Sequence, residues 1–160
     1  MSIENARNHL KKYGKDGDII EFSSSSATVK EAAADLNTEE GRIAKSMSFM
    51  LSSGPVVILA AGDEKIDNRK FKDTFHEKAR MIGPDQVEEI IGHPVGGVCP
   101  FGVKDGVTVY LDQSLRRFDY VYPAAGSRNS AIKLTIPELE ETSEYKSWVD
   151  VTKLPEGQGA

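Results

Sequence analysis

In the run Gly41-Arg-Ile-Ala-Lys-Ser-Met-Ser-Phe49, Lys45 is the one charged side chain on an otherwise apolar strand face. With the two-residue period of a strand, Ile43, Met47, Phe49 and Leu51 share its side, while Ala44, Ser46, Ser48 and Met50 take the other. An ammonium aimed at a core must snorkel to water, meet a counter-charge, or line a cavity that takes an anionic or carbonyl-bearing group. The plainer reading places Lys45 at the strand entrance, reaching water, because lysine is rarely buried unpaired. The second candidate is Gly96-Gly97, whose backbone N–H groups can approach a ligand with no Cβ in the way. Its plainer reading is a tight turn with left-handed dihedrals. A cation and bare main chain together describe a site that binds and polarises rather than one that attacks covalently. That suffices to hydrolyse an activated ester, since positioning a water and offering donors to a developing oxyanion both lower the barrier.

Other active-site layouts are missing. The chain has no G-x-S-x-G elbow, no G-x-x-x-x-G-K-[ST] phosphate loop, no G-x-G-x-x-G fingerprint and no H-E-x-x-H. His9, His76 and His93 lack metal-ligand spacing; His9 reads as solvent-exposed and His93, before Pro94, as loop-structuring rather than a base. Cys99 is the single cysteine, which rules out an internal disulfide and a thiolate cluster and fits a small packing residue. The serines at 23–26 read as turn and helix-start chemistry. Neither a metal nor a cofactor is expected.

At 160 residues the chain suits one domain, 1–160, with an N-terminal helix inside 1–17 and a frayed tail at 155–160. A net charge of −5 argues against holding nucleic acid by bulk phosphate attraction, so DNA is not an expected partner and any RNA contact should be local. The clusters Arg69-Lys70 with Lys72 and Arg116-Arg117 read as solvated surface. No apolar stretch approaches a membrane span and residues 1–7 lack the apolar core of a secretory signal, so the expected location is the cytoplasm, with no membrane partner.

The elements that must position these residues follow from period and punctuation. A helix is expected over 2–12 with Ile3, Ala6 and Leu10 inward, then a strand over 19–22. Thr28-Val-Lys-Glu31 has capping-box spacing and opens a helix whose buried stripe is Val29, Ala32, Ala33 and Leu36. After the Lys45 strand and the turn Ser52-Ser-Gly-Pro55, the continuous apolar run 56–61 is the expected sheet centre. Helices are expected from Asp67 or Asn68 to His76, with Phe71 and Phe75 inward, and over 84–91, with a short strand at 79–82 between them. The segment 93–102 is rich in Gly and Pro yet apolar, which predicts a buried or cleft-lining loop. Asp105-Gly106 fits a hairpin turn into a strand over 107–111, strands follow at 120–122 and 131–136, a helix starts at Pro137, and Val149 and Val151 close the chain. The pattern indicates an α+β fold with a mixed, curved, barrel-like sheet and flanking helices.

Five segments in this order, Ser-Ser-Ala-Thr-Val-Lys-Glu-Ala-Ala (25–33), Gly-Arg-Ile-Ala-Lys-Ser (41–46), Val-Val-Ile-Leu-Ala-Ala-Gly-Asp (56–63), Gly-Gly-Val-Cys-Pro-Phe-Gly (96–102) and Ala-Ala-Gly-Ser-Arg-Asn (124–129), resemble the YbaK/ProX family of free-standing aminoacyl-tRNA deacylases, relatives of the editing domain inserted in bacterial prolyl-tRNA synthetase. The resemblance spans about residues 18–140. It implies metal-independent, partly substrate-assisted hydrolysis of a small mischarged amino acid (Ala, Ser, Thr or Cys class) from the 3′ CCA end of tRNA, with an aminoacyl-tRNA synthetase as a possible partner. Lys45 matches the family's strand lysine, Gly96, Gly97 and Val98 the loop lining the amino-acid pocket, and Gly126 the second small-residue loop. The resemblance therefore implies Lys45, Gly97 and Val98 as catalytic and Thr28, Ser46, Gly96 and Gly126 as substrate-binding. Ser46-Met47 departs from the Thr-Leu that often follows the lysine, so substrate identity does not carry over. Two alternatives stand beside this reading: a non-catalytic aminoacyl- or nucleotide-binding regulatory module, and an adapter for a protein partner.

Overall fold

The computed structural model describes residues 2–22 and 28–155; the serines at 23–26 and the end of the expected tail lie outside the described residues. Helix α1 (Ser2–Lys11) buries Ala6 and Leu10, as its spacing predicts. Strand β1 (Ile19–Glu21) follows, then α2 (Val29–Leu36). Thr28 Oγ1 accepts the Glu31 N–H at 3.1 Å and caps α2. Of the expected α2 stripe only Ala33 is fully buried; Val29, Ala32 and Leu36 face a cavity instead of the core.

Strands β2 (Ile43–Leu51) and β3 (Gly54–Ala61) form an antiparallel hairpin in register Lys45↔Ala60 and Phe49↔Val56. The two-residue period holds along β2. Phe49 and Leu51 join the cluster with Ile58 and Phe71, while Ala44 packs with Leu59 and Leu111 on the other face. Val56–Ala61 is buried throughout, because β3 lies in the middle of the sheet and is covered on both sides. Next come β4 (Lys65–Ile66), α3 (Asn68–Phe75), capped by Asp67, and α4 (Val87–Ile91), stopped by Gly92 at φ +104°. The expected strand at 79–82 reduces to a bridge between Phe49 and Met81.

Strands β5 (Thr108–Asp112), β6 (Tyr120–Pro123), β7 (Ser130–Ile132) and β8 (Leu134–Thr135), helix α5 (Ile136–Ser143), and strands β9 (Ser147–Val149) and β10 (Thr152–Lys153) complete the chain. The main sheet runs β8-β6-β2-β3-β5-β9, with β1-β7 and β4-β10 as small separate pairs. The expected hairpin at Asp105-Gly106 does not form: β5 lies parallel to both β3 and β9, so that turn only redirects the chain. A parallel partner needs a crossover, and helices α3 and α4 supply it. The architecture is α+β with a mixed, curled sheet, as the sequence pattern indicates.

Thr135 and Glu138 form a full capping box at α5, and Lys15 Nζ reaches Glu138 Oε2 at 2.6 Å, tying the chain after α1 to this helix. The Lys15 bond and the Thr135 N–H hold the Glu138 carboxyl at about 2, below its ordinary 4.5. A carboxyl depressed by folding stabilises above its unfolded value and loses that contribution as pH falls through its folded one. Glu138 is partly exposed, so Lys15→Met should cost only about 0.5 kcal/mol near neutrality. Urea unfolding of the two proteins should show that difference at pH 7 and its disappearance as the pH is taken from 4.5 towards 2.

Candidate functional site

A fork in the main sheet creates the site. Strand β6 pairs in parallel with the start of β2 at Ile43↔Tyr122 and Ala44↔Pro123, then leaves it. The ladder stops at Pro123, and the next residue, Ala124, bridges to Ala131 instead. Further along the same edge of β2, segment 80–82 takes over: Met50 N–H donates to Arg80 O at 2.9 Å and Ile82 N–H to Ser48 O at 3.0 Å. Between these two pairings lies a cavity of about 590 Å³.

Its walls come from distant stretches of chain. Lys45, Ser46 and Ser48 of β2 form the floor, with Thr28, Val29 and Leu36 of the α2 region, Met81 and Val87, Gly96 and Val98, and Tyr122, Arg128 and Ser130 around it. The lining is mostly apolar with few polar groups, the composition of a pocket that orients a small ligand. Met81 and Val95 stand at 66% and 42% exposure, so two apolar side chains of the lining remain open to solvent.

Lys45 is half-buried, and its Nζ donates to the backbone carbonyl of Glu64. Burial pushes its ammonium below the ordinary lysine value, against the opposing pull of Asp63 and Glu64. Those carboxylates are already engaged. Arg117 clamps Asp63 with two bonds of 2.8 Å and reaches Glu64 Oε2 at 2.7 Å, which holds Asp63 below its usual range. Thr152 Oγ1 bonds both Glu64 Oε1 at 3.0 Å and Asp112 Oδ2 at 2.7 Å, extending this support into the core. Arg117, expected to be solvated surface, is a structural partner, and Arg116 stacks on Trp148 at 4.0 Å. The hairpin register carried the missing signal: Ala60 opposite Lys45 puts Asp63 and Glu64 just past the strand end beside it.

Of the residues singled out from sequence, Lys45, Ser46, Thr28, Gly96 and Val98 line the cavity together. Gly97 and Gly126 do not line it. They pack against each other behind it: a Cβ on Gly97 would lie 2.6 Å from the Gly126 carbonyl carbon and 2.7 Å from its oxygen. Gly96, at φ +88°, is overlain by the Arg128 side chain, whose Nε donates to Val95 O at 3.1 Å. The two glycine loops thus brace one wall.

The remaining candidates serve the fold. His9 is buried, not exposed: Nε2 donates to Thr142 O at 2.6 Å and Nδ1 accepts the Gly102 N–H at 3.1 Å, which joins α1 to α5 and to the apolar loop. His93 Nε2 donates to Phe101 O at 2.6 Å, and burial lowers its tendency to protonate. Cys99 lies beside it, fully buried, with its thiol pushed up to about 12 by desolvation, so it is no nucleophile near neutrality. Among the described residues no cluster of His, Cys, Asp or Glu could hold a metal, and no helix is long and apolar enough to cross a membrane.

Residues 23–142 match the model of the aminoacyl-tRNA editing domain. The chain is 51% identical over 154 residues to the uncharacterized protein YwhH of Bacillus subtilis (strain 168), covering 96% of this chain and 98% of that one. It is 25% identical to a proline–tRNA ligase of Streptococcus suis (strain 05ZYH33), where it covers 88% of this chain but only 23% of the ligase. A crystal structure of a candidate trans-editing enzyme for prolyl tRNA synthetase superposes with a TM-score of 0.85 at 27% identity, covering 95% of this chain and 97% of that one.

The backbone contact behind the wall gives a direct test. Gly97→Ala forces the methyl into the Gly126 main chain, and neither side is a flexible side-chain end. It should destabilise the protein by about 1–3 kcal/mol, as overpacking does, measured by chemical denaturation. Gly17→Ala, with nothing within 4 Å of its added Cβ, is the matched control and should be nearly neutral.

Proposed function

Because the chain belongs to the aminoacyl-tRNA editing domain family, whose members are aminoacyl-tRNA deacylases, we propose that it clears a small mischarged amino acid, of the alanine, serine, threonine or cysteine class, from the 3′ CCA end of tRNA in trans. The observation that carries this reading is Lys45: a half-buried lysine in the lining of an apolar cavity, its ammonium held by a neutral carbonyl rather than by a carboxylate. An ammonium has three donors, and one is used among the described residues, so donors remain for the ester carbonyl or for the phosphate of the terminal adenosine.

In the proposed reaction a water attacks the ester carbonyl, and negative charge grows on the carbonyl oxygen. Lys45 and main-chain donors of the floor and of Gly96 and Val98 stabilise that charge in a water-poor setting. The tetrahedral centre then collapses, the bond to the ribose oxygen breaks, and the free amino acid and the ribose hydroxyl are released. Among the described residues no side chain in the cavity lining is an evident general base, since the polar ones are hydroxyls and cations. On this reading the attacking water gives its proton to the substrate, through a ribose hydroxyl or the amino acid, without a metal.

Selection in this pocket is steric. The side chain of the amino acid meets Val, Leu, Ile and Met walls, where one methylene is worth about 1–3 kcal/mol. The net charge of −5 limits general attraction to tRNA, which fits a protein that draws on a partner synthetase for affinity or acts in brief encounters.

A panel of mischarged tRNAs, assayed for deacylation with wild type and Lys45→Ala, tests reaction, substrate and residue together. Lys45→Ala should fold normally and lose about 100-fold or more in kcat/KM on the preferred substrate. Full activity in that variant overturns the mechanism. Stabilisation by a ligand with no turnover on any charged tRNA would make the protein a binding module instead.

A further inference from the structure

The hydrogen bonds along β2 show which way each residue's main chain points. Successive residues of a strand direct their N–H and C=O groups to opposite edges. Ser48 accepts from Ile82 and Met50 donates to Arg80, so the even-numbered residues of β2 face the forked edge, and the odd-numbered ones face β3. Ala44 meets β6 on that same edge, and Ser48 meets the segment after α3. Ser46 lies between them. Its N–H and C=O point into the gap, where it has no strand partner among the described residues, and it lines the cavity there. Its Oγ is buried with no hydrogen-bond partner, so the solvent-accessible part of this half-buried residue is not its hydroxyl.

A buried or semi-buried main-chain pair without a partner is uncommon, because each such group costs free energy comparable to a lost hydrogen bond. The gap is one residue long, with paired neighbours on either side. From this we infer that the Ser46 main chain is the docking slot for the substrate's aminoacyl group, which adds to the open edge of β2 as a single residue of strand. The α-amino group donates to Ser46 C=O, and the ester carbonyl accepts from Ser46 N–H. This is the two-bond exchange of a hydrogen-bonded pair in an antiparallel ladder, and an aminoacyl ester carries both groups at the required spacing. The recognition reads the amino acid's main chain and leaves its side chain to the apolar walls. It also puts an N–H donor on the oxygen where charge develops, next to Lys45, and it explains why the floor is a strand edge rather than a helix or a closed sheet.

The inference rests on the deacylase reading for its ligand, but its first test does not depend on turnover. In amide hydrogen exchange followed by NMR on the free protein, Ser46 should exchange about 100-fold faster than Lys45 and Met47, whose amides pair with β3. Protection of Ser46 equal to theirs overturns the inference and leaves the deacylase proposal standing. Adding 3′-amino-3′-deoxyadenosine bearing amide-linked alanine should slow Ser46 exchange about 10-fold or more, and the propionyl analogue, which lacks the α-amine, should bind about 10-fold more weakly. Binding of the alanyl compound that protects other cavity residues and leaves Ser46 unchanged overturns it. Ser46→Pro removes the gap-facing N–H together with the hydroxyl, and Ser46→Ala removes the hydroxyl alone; the folded proline variant should lose about 100-fold in deacylation relative to Ser46→Ala, and equal activity of the two overturns the inference. If Ser46→Pro does not fold, the exchange measurements on the wild-type protein decide.

Discussion

The site depends on one edge of one strand being paired at both ends and open in the middle. Backbone polar groups inside a protein are nearly always matched, so such a gap survives only where the surrounding chain cannot close it. Here three local facts keep it open. Pro123 ends the β6 ladder, Ala124 commits the chain to Ala131, and the Gly97–Gly126 contact brings two loops close enough to brace the wall at that place. Any side chain at Gly97 would wedge these loops apart, which is why main chain meets main chain there. On the far side, the Arg80 and Ile82 bonds carry the segment before α4 back onto the same strand. The cavity is what remains between two pairings that cannot reach each other.

The electrostatics follow the same logic. A lysine in a half-buried wall would ordinarily take a carboxylate partner, and Asp63 and Glu64 are close enough to shift its protonation. Arg117 occupies both of them first, with planar geometry suited to carboxylates. Glu64, 8% exposed, is further satisfied by Thr152, so the acidic residues spend their hydrogen-bonding capacity away from the cavity. Lys45 is left with a neutral carbonyl. A cation kept near acids but not paired with them keeps donors to offer, which is what a transition-state stabiliser needs.

Much of this was legible in the sequence. The two-residue period on β2 separated Lys45 and Phe49 from Ala44 and Met50, and the unbroken apolar run of β3 marked the sheet centre. The Gly- and Pro-rich stretch around Cys99 announced a buried loop, and His93, Cys99 and Phe101 are all fully buried in it. What failed had non-local causes. Asp105-Gly106 is a sound hairpin signal, but nothing near it in sequence states that β5 will pair in parallel with β3 and β9. His9 sits at a helix position that looks polar, and its burial is set by Thr142 and Gly102, far away along the chain. The α2 stripe reads as core, because apolar periodicity does not distinguish a core from an apolar cavity wall. Gly97 reads as a place for close main-chain approach, and what approaches it is the Gly126 main chain rather than a ligand.

An acidic protein that acts on a polyanion has to confine its attraction to a small area. The cations that line the cavity are Lys45 in the floor and Arg128, exposed, on the wall formed by the glycine loops. Arg128 keeps its Nε on the Val95 carbonyl, which orients the guanidinium beside the apolar Val95 and leaves its terminal nitrogens for a partner. Met81 adds a second exposed apolar surface, so the opening offers bare hydrocarbon with a cation at its margin. Under the proposed function such an opening suits the last nucleotide of a single strand, a flat base with one phosphate, and offers little to a duplex. It would make binding depend on the free 3′ end and only weakly on the body of the tRNA, with a salt dependence corresponding to one or two phosphate contacts rather than many. Discrimination then falls to the aminoacyl group itself, whose main chain can be fixed by a strand edge while its side chain is measured against the walls.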